Sequence, residues 1–212
     1  MRSRHPLVVG AAALVTSLLL GGCFTGDRPS FVEASNEPTG DAAVDDIVSL
    51  LDSPDSGTFT ATYEITAKYG GAKFPATISR DDTRLSITIG DVRYLSTAAG
   101  TQTCTVSTGA CTTGFDDAKI SDTGVLHTFA KESAAGRLRR EAATKTGPGE
   151  TYQATVGEQQ VNCVRVVGAG GTTQFCALPS GWLALEDVAE VNVTLQSLTT
   201  TATEALFSPS GT

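Results

Sequence analysis

Histidine is nearly missing from this chain, with two in 212 residues, His5 and His127. Five cysteines are present, none in a C-x-x-C pair, so the ligand spacing of a structural zinc site is lacking and no metal is expected. No serine stands in a G-x-S-x-G elbow or another nucleophile signature. His127 therefore reads as a polar helix residue, not a general base, and neither an enzyme nor a cofactor is expected. Cations are also short: 15 Lys and Arg face 23 Asp and Glu, a formal net charge of −8. Without clustered Lys and Arg there is no counterion release to drive phosphate binding, which argues against nucleic acid as a partner. Nor does any apolar run reach the roughly 20 residues that a membrane-crossing helix needs.

What is present begins at the N-terminus. Arg2 and Arg4 precede a mostly apolar run from Leu7 to Leu20, then Gly21, Gly22 and Cys23. That is the layout of a secretory signal peptide. Leu20-Gly21-Gly22-Cys23 resembles the bacterial lipobox, in which the cysteine sulfur is acylated and the chain is cut just before it. The expectation is a signal over residues 1–22 and a lipidated Cys23 tethered to the outer face of a cell membrane. Stable anchoring needs more than one acyl chain. Losing residues 1–22 removes two arginines and no acid, taking the formal charge from −8 to −10. Residues 24–40, with Pro29 and Pro38, then read as a flexible tether.

Setting Cys23 aside leaves Cys104, Cys111, Cys163 and Cys176, an even number in an exported chain. Cys104 and Cys111 flank a turn-like stretch, and Cys163 and Cys176 flank two strand-like runs around a Gly-rich turn. Each pair can face itself across one hairpin.

From Asp41 the pattern becomes periodic, and residues 41–212 read as one domain. Val44, Ile47, Val48 and Leu51 recur at helical spacing. Phe59, Ala61, Tyr63 and Ile65 then alternate with polar residues, Gly70-Gly71 offers a tight turn, and further strands follow to Tyr94. These short connections suit an antiparallel meander, with Pro75 suggesting an edge strand or a bulge. Residues 115–146 lose alternation and predict one or two helices, with Gly124 and Gly136 as breaks. Strands return from Tyr152 to Leu198. The order predicts an α+β fold.

The succession "FTATYEI", "FPATISRDDTRLSI", "VRYLSTAAGTQTCTVSTGAC", a helical middle and "TVGEQQVNCVRVVGAGGTTQFCALPSGW" resembles the LolA-like half-barrel lipoproteins, in layout those of the actinobacterial LppX-LprG type. The resemblance implies a single strongly curved antiparallel β-sheet with helices packed on its concave face over an apolar cavity. It also implies binding or carriage of lipids or acylated proteins, and it matches Cys23 to the acylated cysteine, the two cysteine pairs to paired cysteines, and Trp182 to an apolar residue after a turn. Alternate side chains of such a sheet point inward: Phe59, Tyr63, Ile65, Phe74, Ile78, Leu85, Ile87 and Tyr94. They line a binding cavity if a gap remains and form a core if helices fill it. The alternative is a display or assembly module that acts through a protein partner and has no ligand cavity. A monomer is expected in either case. Arg137, Arg139, Arg140 and Lys145 make a basic cluster that reads either as a solvated helix face or as a patch meeting anionic headgroups. Asp81-Asp82 and Asp116-Asp117 lack calcium-loop spacing and read as turn and helix-start residues.

Overall fold

A computed structural model describes residues 37–54 and 56–210. Residues 1–22, Cys23 and most of the tether lie outside the described residues. Helix α1 (Ala42–Leu51) starts where Asp41 accepts from the amides of Ala43 and Val44, and it buries Val44, Ile47, Val48 and Leu51, the stripe that the sequence spacing predicts. The segment read as tether already belongs to the domain at its far end: the Thr39 amide and hydroxyl both donate to Asp45, at 2.7 and 2.8 Å.

Six strands follow as a meander: β1 (Phe59–Ala67), β2 (Lys73–Arg80), β3 (Leu85–Ile89), β4 (Val92–Thr97), β5 (Gly100–Thr105) and β6 (Ala110–Thr113). Five more come after helix α2 (Glu132–Ala143): β7 (Glu150–Val156), β8 (Gln159–Gly168), β9 (Gly171–Ala177), β10 (Leu183–Asp187) and β11 (Val191–Thr199). All eleven described strands form one antiparallel sheet, in the order β6-β5-β4-β3-β2-β1-β11-β10-β9-β8-β7. The two meanders join where β1 pairs with β11 at its centre. Its outermost strands, β6 and β7, are consecutive in sequence, so residues 114–149 must travel from one edge to the other across a face. That is why the helical part of the chain lies on one side.

Alternation explains the core. β1 buries every second residue, from Phe59 through Ala61, Tyr63 and Ile65 to Ala67. Ile78, Ile87 and Tyr94 lie opposite one another across β2, β3 and β4 and share that face. α1 and α2 pack on β8 and β9, and Ala134, Ala135, Leu138 and Ala142 supply the buried side of α2. Gly136 does not break α2. One glycine costs a helix about 1 kcal/mol, which the buried residues around it offset.

Pro75 is neither at an edge nor in a bulge, since β2 is an interior strand with continuous register. It stands where β3 ends, and its carbonyl accepts from Gly90 of the β3–β4 turn at 2.9 Å. On that side the strand needs no further donor, so the missing N–H costs nothing. The disulfides join residues directly opposite in register, Cys104–Cys111 across β5 and β6 and Cys163–Cys176 across β8 and β9. Past the short β10, the β7–β8 turn reaches β11: a Cβ added at Gly157 would lie 3.0 Å from Leu195.

The opposite face of β2–β4 carries Ser79, Ser86 and Arg93, all buried. The C-terminal segment covers them. Ser79 accepts from the Thr203 amide at 3.0 Å, Ser86 donates to the Leu206 carbonyl at 2.6 Å, and Arg93 donates to that of Ser208 at 2.6 Å. Arg84 clamps the segment through two 2.8 Å bonds to Glu204 and lies 4.1 Å above the Phe207 ring centre. It also pairs with Asp81, whose carboxyl is held down at about 2 chiefly by that guanidinium.

Asp41 links both halves of the helical layer. Besides capping α1, it accepts from Lys145 Nζ at 2.6 Å and from the Gly149 amide at 2.8 Å. These bonds, led by Lys145, hold its carboxyl below the ordinary 3.8. Because the folded value lies below the unfolded one, the stabilisation is present above about pH 4 and drains away as the pH falls below it. Asp41→Asn keeps the cap and loses the charge. Urea unfolding should place it about 1–3 kcal/mol below wild type at pH 7, the scale of charge-assisted hydrogen bonds, with the two curves drawing together as the pH falls below about 4 and Asp41 takes up its proton.

Candidate functional site

A cleft of about 270 Å³ opens between β2–β3 and the crossing segment. Its floor is apolar: Ile78, Leu85, Ile87, Ala130 and Trp182. Around the rim stand Phe115, His127, Thr128, Lys131 and Glu132. Ligand pockets commonly span about 300–1,000 Å³, so this one suits a small molecule or one portion of a long chain.

One wall is an aromatic stack on Tyr94. The His127 ring lies 5.2 Å from Tyr94 in stacked geometry, and Phe115 touches both at 5.7 Å (Tyr94) and 4.5 Å (His127). Asp117 sets the histidine: its carboxylate lies 2.8 Å from Nδ1 and accepts from the His127 amide at 2.9 Å. His127 sits in a turn, not in a helix, and no described hydroxyl or thiol hydrogen-bonds it. Asp116 caps the short 3-10 turn Asp117–Ile120, the helix-start role its position suggests, and Tyr94 donates to the Asp116 carbonyl at 3.2 Å. Burial first, then the nearby Asp117 charge, pushes the Tyr94 phenol up.

The other wall is Trp182, 3% exposed and met edge-on by Phe59 at 4.9 Å. Lys131 Nζ lies 5.3 Å from the Trp182 ring centre and donates to the Ser53 carbonyl at 2.7 Å. Trp182 is seated by its neighbour. Gly181 has φ +85°, and a Cβ there would lie 2.1 Å from Ser53 Oγ and 2.5 Å from the Leu50 carbonyl. Only glycine lets the β9–β10 loop press so closely on the end of α1.

Of the eight inward residues named from the sequence, Ile78, Leu85 and Ile87 line the cleft. Tyr94 backs its aromatic wall and Phe59 supports Trp182. Ile65 is fully buried, Tyr63 packs edge-on against Phe129 at 5.3 Å and donates to the Leu183 carbonyl, and Phe74 is half-buried against the core. Phe115, His127, Thr128, Ala130, Lys131 and Glu132 fall in the aperiodic stretch, where strand alternation carries no signal.

The basic residues do not form one exposed patch. Arg137 donates to Glu186 at 3.0 Å and to the Gly124 carbonyl at 2.6 Å, Arg139 pairs with Asp52, and Lys145 with Asp41. Arg140 is exposed. Glu186 is 1% exposed, and burial pushes its carboxyl up against the opposing pull of Arg137. A buried carboxylate needs a partner more than the surface needs a cation.

No family model and no curated protein matches the sequence. Among solved structures, the chain is similar to MucB, with a TM-score of 0.53 and 13% identity over 79% of this chain and 63% of that one. It thus spans under two thirds of MucB's length. The Pseudomonas aeruginosa MucA/MucB complex aligns at 0.49 with 11% identity, over 78% of this chain and 60% of that one. A LolA superfamily protein from Nitrosomonas europaea aligns at 0.35 with 8% identity, over 76% and 94%. At such identities the likeness to MucB is one of fold alone, and the two lower scores carry no argument. An open antiparallel sheet with helices on one face agrees with the LolA-like fold that the sequence resemblance implied. No helix among the described residues is long and apolar enough to cross a membrane.

Gly181→Ala should separate the loop from α1. Urea unfolding should show a loss of about 1–3 kcal/mol, and the emission of Trp182, the one tryptophan in the sequence, should shift red as water enters.

Proposed function

We propose that this chain is a membrane-anchored extracytoplasmic lipoprotein that binds or carries an apolar ligand, a lipid by preference, without catalysing a reaction. The observation that supports this most is the open apolar floor of Ile78, Leu85, Ile87 and Trp182 between the sheet and the crossing segment. Exposed Phe115 at its mouth (38%) and Leu126 close by in sequence (49%) give an apolar ligand a route in from a membrane surface. Burying a methylene is worth about 0.8 kcal/mol, so even a short length of acyl chain binds usefully there. The half-barrel reading, a strongly curved sheet wrapped around its helices, is supported by the contact of the β7–β8 turn with β11. Cys23 supplies the anchor and keeps the cleft beside its lipid source.

The small volume favours a second reading, in which the domain is an assembly module and meets a protein partner through its surface. One variant separates the two. Cys23→Ser, placed behind an ordinary cleavable secretory signal in place of residues 1–22, should move the protein from the membrane to the soluble fraction, and native mass spectrometry of that secreted chain should find a copurified apolar ligand. Retention in the membrane fraction overturns the anchor. Protein free of ligand overturns the carrier and leaves the assembly module.

A further inference from the structure

Strand β7 is an unguarded edge. No strand among the described residues pairs with its outer side, and it runs seven residues without proline, lysine, arginine or a bulge, the devices that usually keep a free edge from pairing. Its hydrogen-bonding groups can be assigned to sides. The Cα atoms of Cys163 and Cys176 lie 4.0 Å apart, the close spacing of an opposed pair that exchanges no ladder bonds, so Cys163 turns its amide and carbonyl toward Tyr152. Thr151, Gln153 and Thr155 therefore turn theirs outward. A row of amides and carbonyls at strand spacing matches another extended backbone.

Side chains point the same way. Thr151, Gln153 and Thr155 are exposed, whereas Tyr152, Ala154 and Val156 are half-buried against the core. A groove of about 500 Å³ lies between α1 and β7–β8, with Ile47, Leu50, Tyr152 and Asn162 in its lining. Asp46 lines it too, exposed and with no hydrogen bond or ion pair among the described residues. The other edge, β6, has four residues, all exposed, so it offers no apolar side for a strand to extend.

We propose that β7 receives an extended segment of a partner protein as an additional strand. Its backbone bonds Thr151, Gln153 and Thr155, its alternate apolar side chains enter the groove beside Leu50 and Tyr152, and a basic side chain meets Asp46. This rests on the assembly-module reading and locates its contact surface. A second copy of the chain is the poorer occupant, because it brings the same formal charge of −8.

The test titrates the soluble Cys23→Ser chain with acetyl-Thr-Lys-Thr-Val-Thr-Val-Thr-amide, and with the same peptide methylated at every backbone amide. The first should slow hydrogen exchange at the amides of Thr151, Gln153 and Thr155 about tenfold, read by NMR, and the methylated one should not. Gln153→Pro removes an outward N–H and leaves the β8 ladder intact, so the peptide should bind it about five- to tenfold more weakly; Asp46→Asn should cost about threefold. Equal effects of the two peptides, or no protection of β7 by either, overturn the strand addition. A benzoylphenylalanine cross-linker carried in intact cells at Thr155, or separately at exposed Tyr69, reports on the assembly-module reading itself. Protein adducts from Thr155 that Gln153→Pro abolishes support both. Adducts from Tyr69 alone leave the assembly module standing without this strand, and none from either position removes both.

Discussion

The pairing of β1 with β11 is the constraint on which the rest of the architecture depends. It joins strands separated by more than a hundred residues, Thr60 opposite Thr199 through Ala67 opposite Val191. Once the two ends of the domain meet at the centre of the sheet, its middle is pushed to the edges. The link between β6 and β7 then has no path except across a face. The cleft follows from that crossing, because its floor comes from β2 and β3 and its rim from the linking segment. Contacts so distant in sequence are slow to form, and the two hairpin disulfides hold local register without shortening the central closure.

Buried ionic groups arrange the crossing segment. Arg137 fastens α2 to Glu186 of β10 and to the turn at Gly124, while Lys145 and Asp41 tie its far end to the start of α1. Each pair couples an apolar contact to a directional one, so the segment lies over the sheet in one position. Hydrophobic burial alone would tolerate sliding. A cleft of fixed shape needs such pins, since a drifting rim would close it.

Period-two alternation made β1 through β4 legible, and the 3.6-residue spacing of Val44, Ile47, Val48 and Leu51 made α1 legible. The cysteine spacings marked two hairpins whose residues are opposite in register. Less could be read where tertiary partners decide. Pro75 suggests an edge by its own chemistry, but its place depends on where β3 stops. Arg137, Arg139 and Lys145 look like surface cations because their carboxylates, Glu186, Asp52 and Asp41, stand far away in sequence. The rim of the cleft was the least visible part. Phe115 and His127 lie in a stretch without period, and only their stacking on Tyr94 unites them. Trp182 is singled out by resemblance alone, whereas its place in the wall of the cleft is a property of packing.

The C-terminal segment over β2–β4 has a practical consequence. Because Ser79, Ser86 and Arg93 find their partners in the backbone of residues 203–208, trimming the chain before Thr203 would open three polar side chains to water and remove the bonds that close this side of the sheet. A shortened expression product would lose the stability those bonds and the buried Phe207 contribute. Domain boundaries chosen for crystallisation or for fusion should therefore keep the sequence through Ser208.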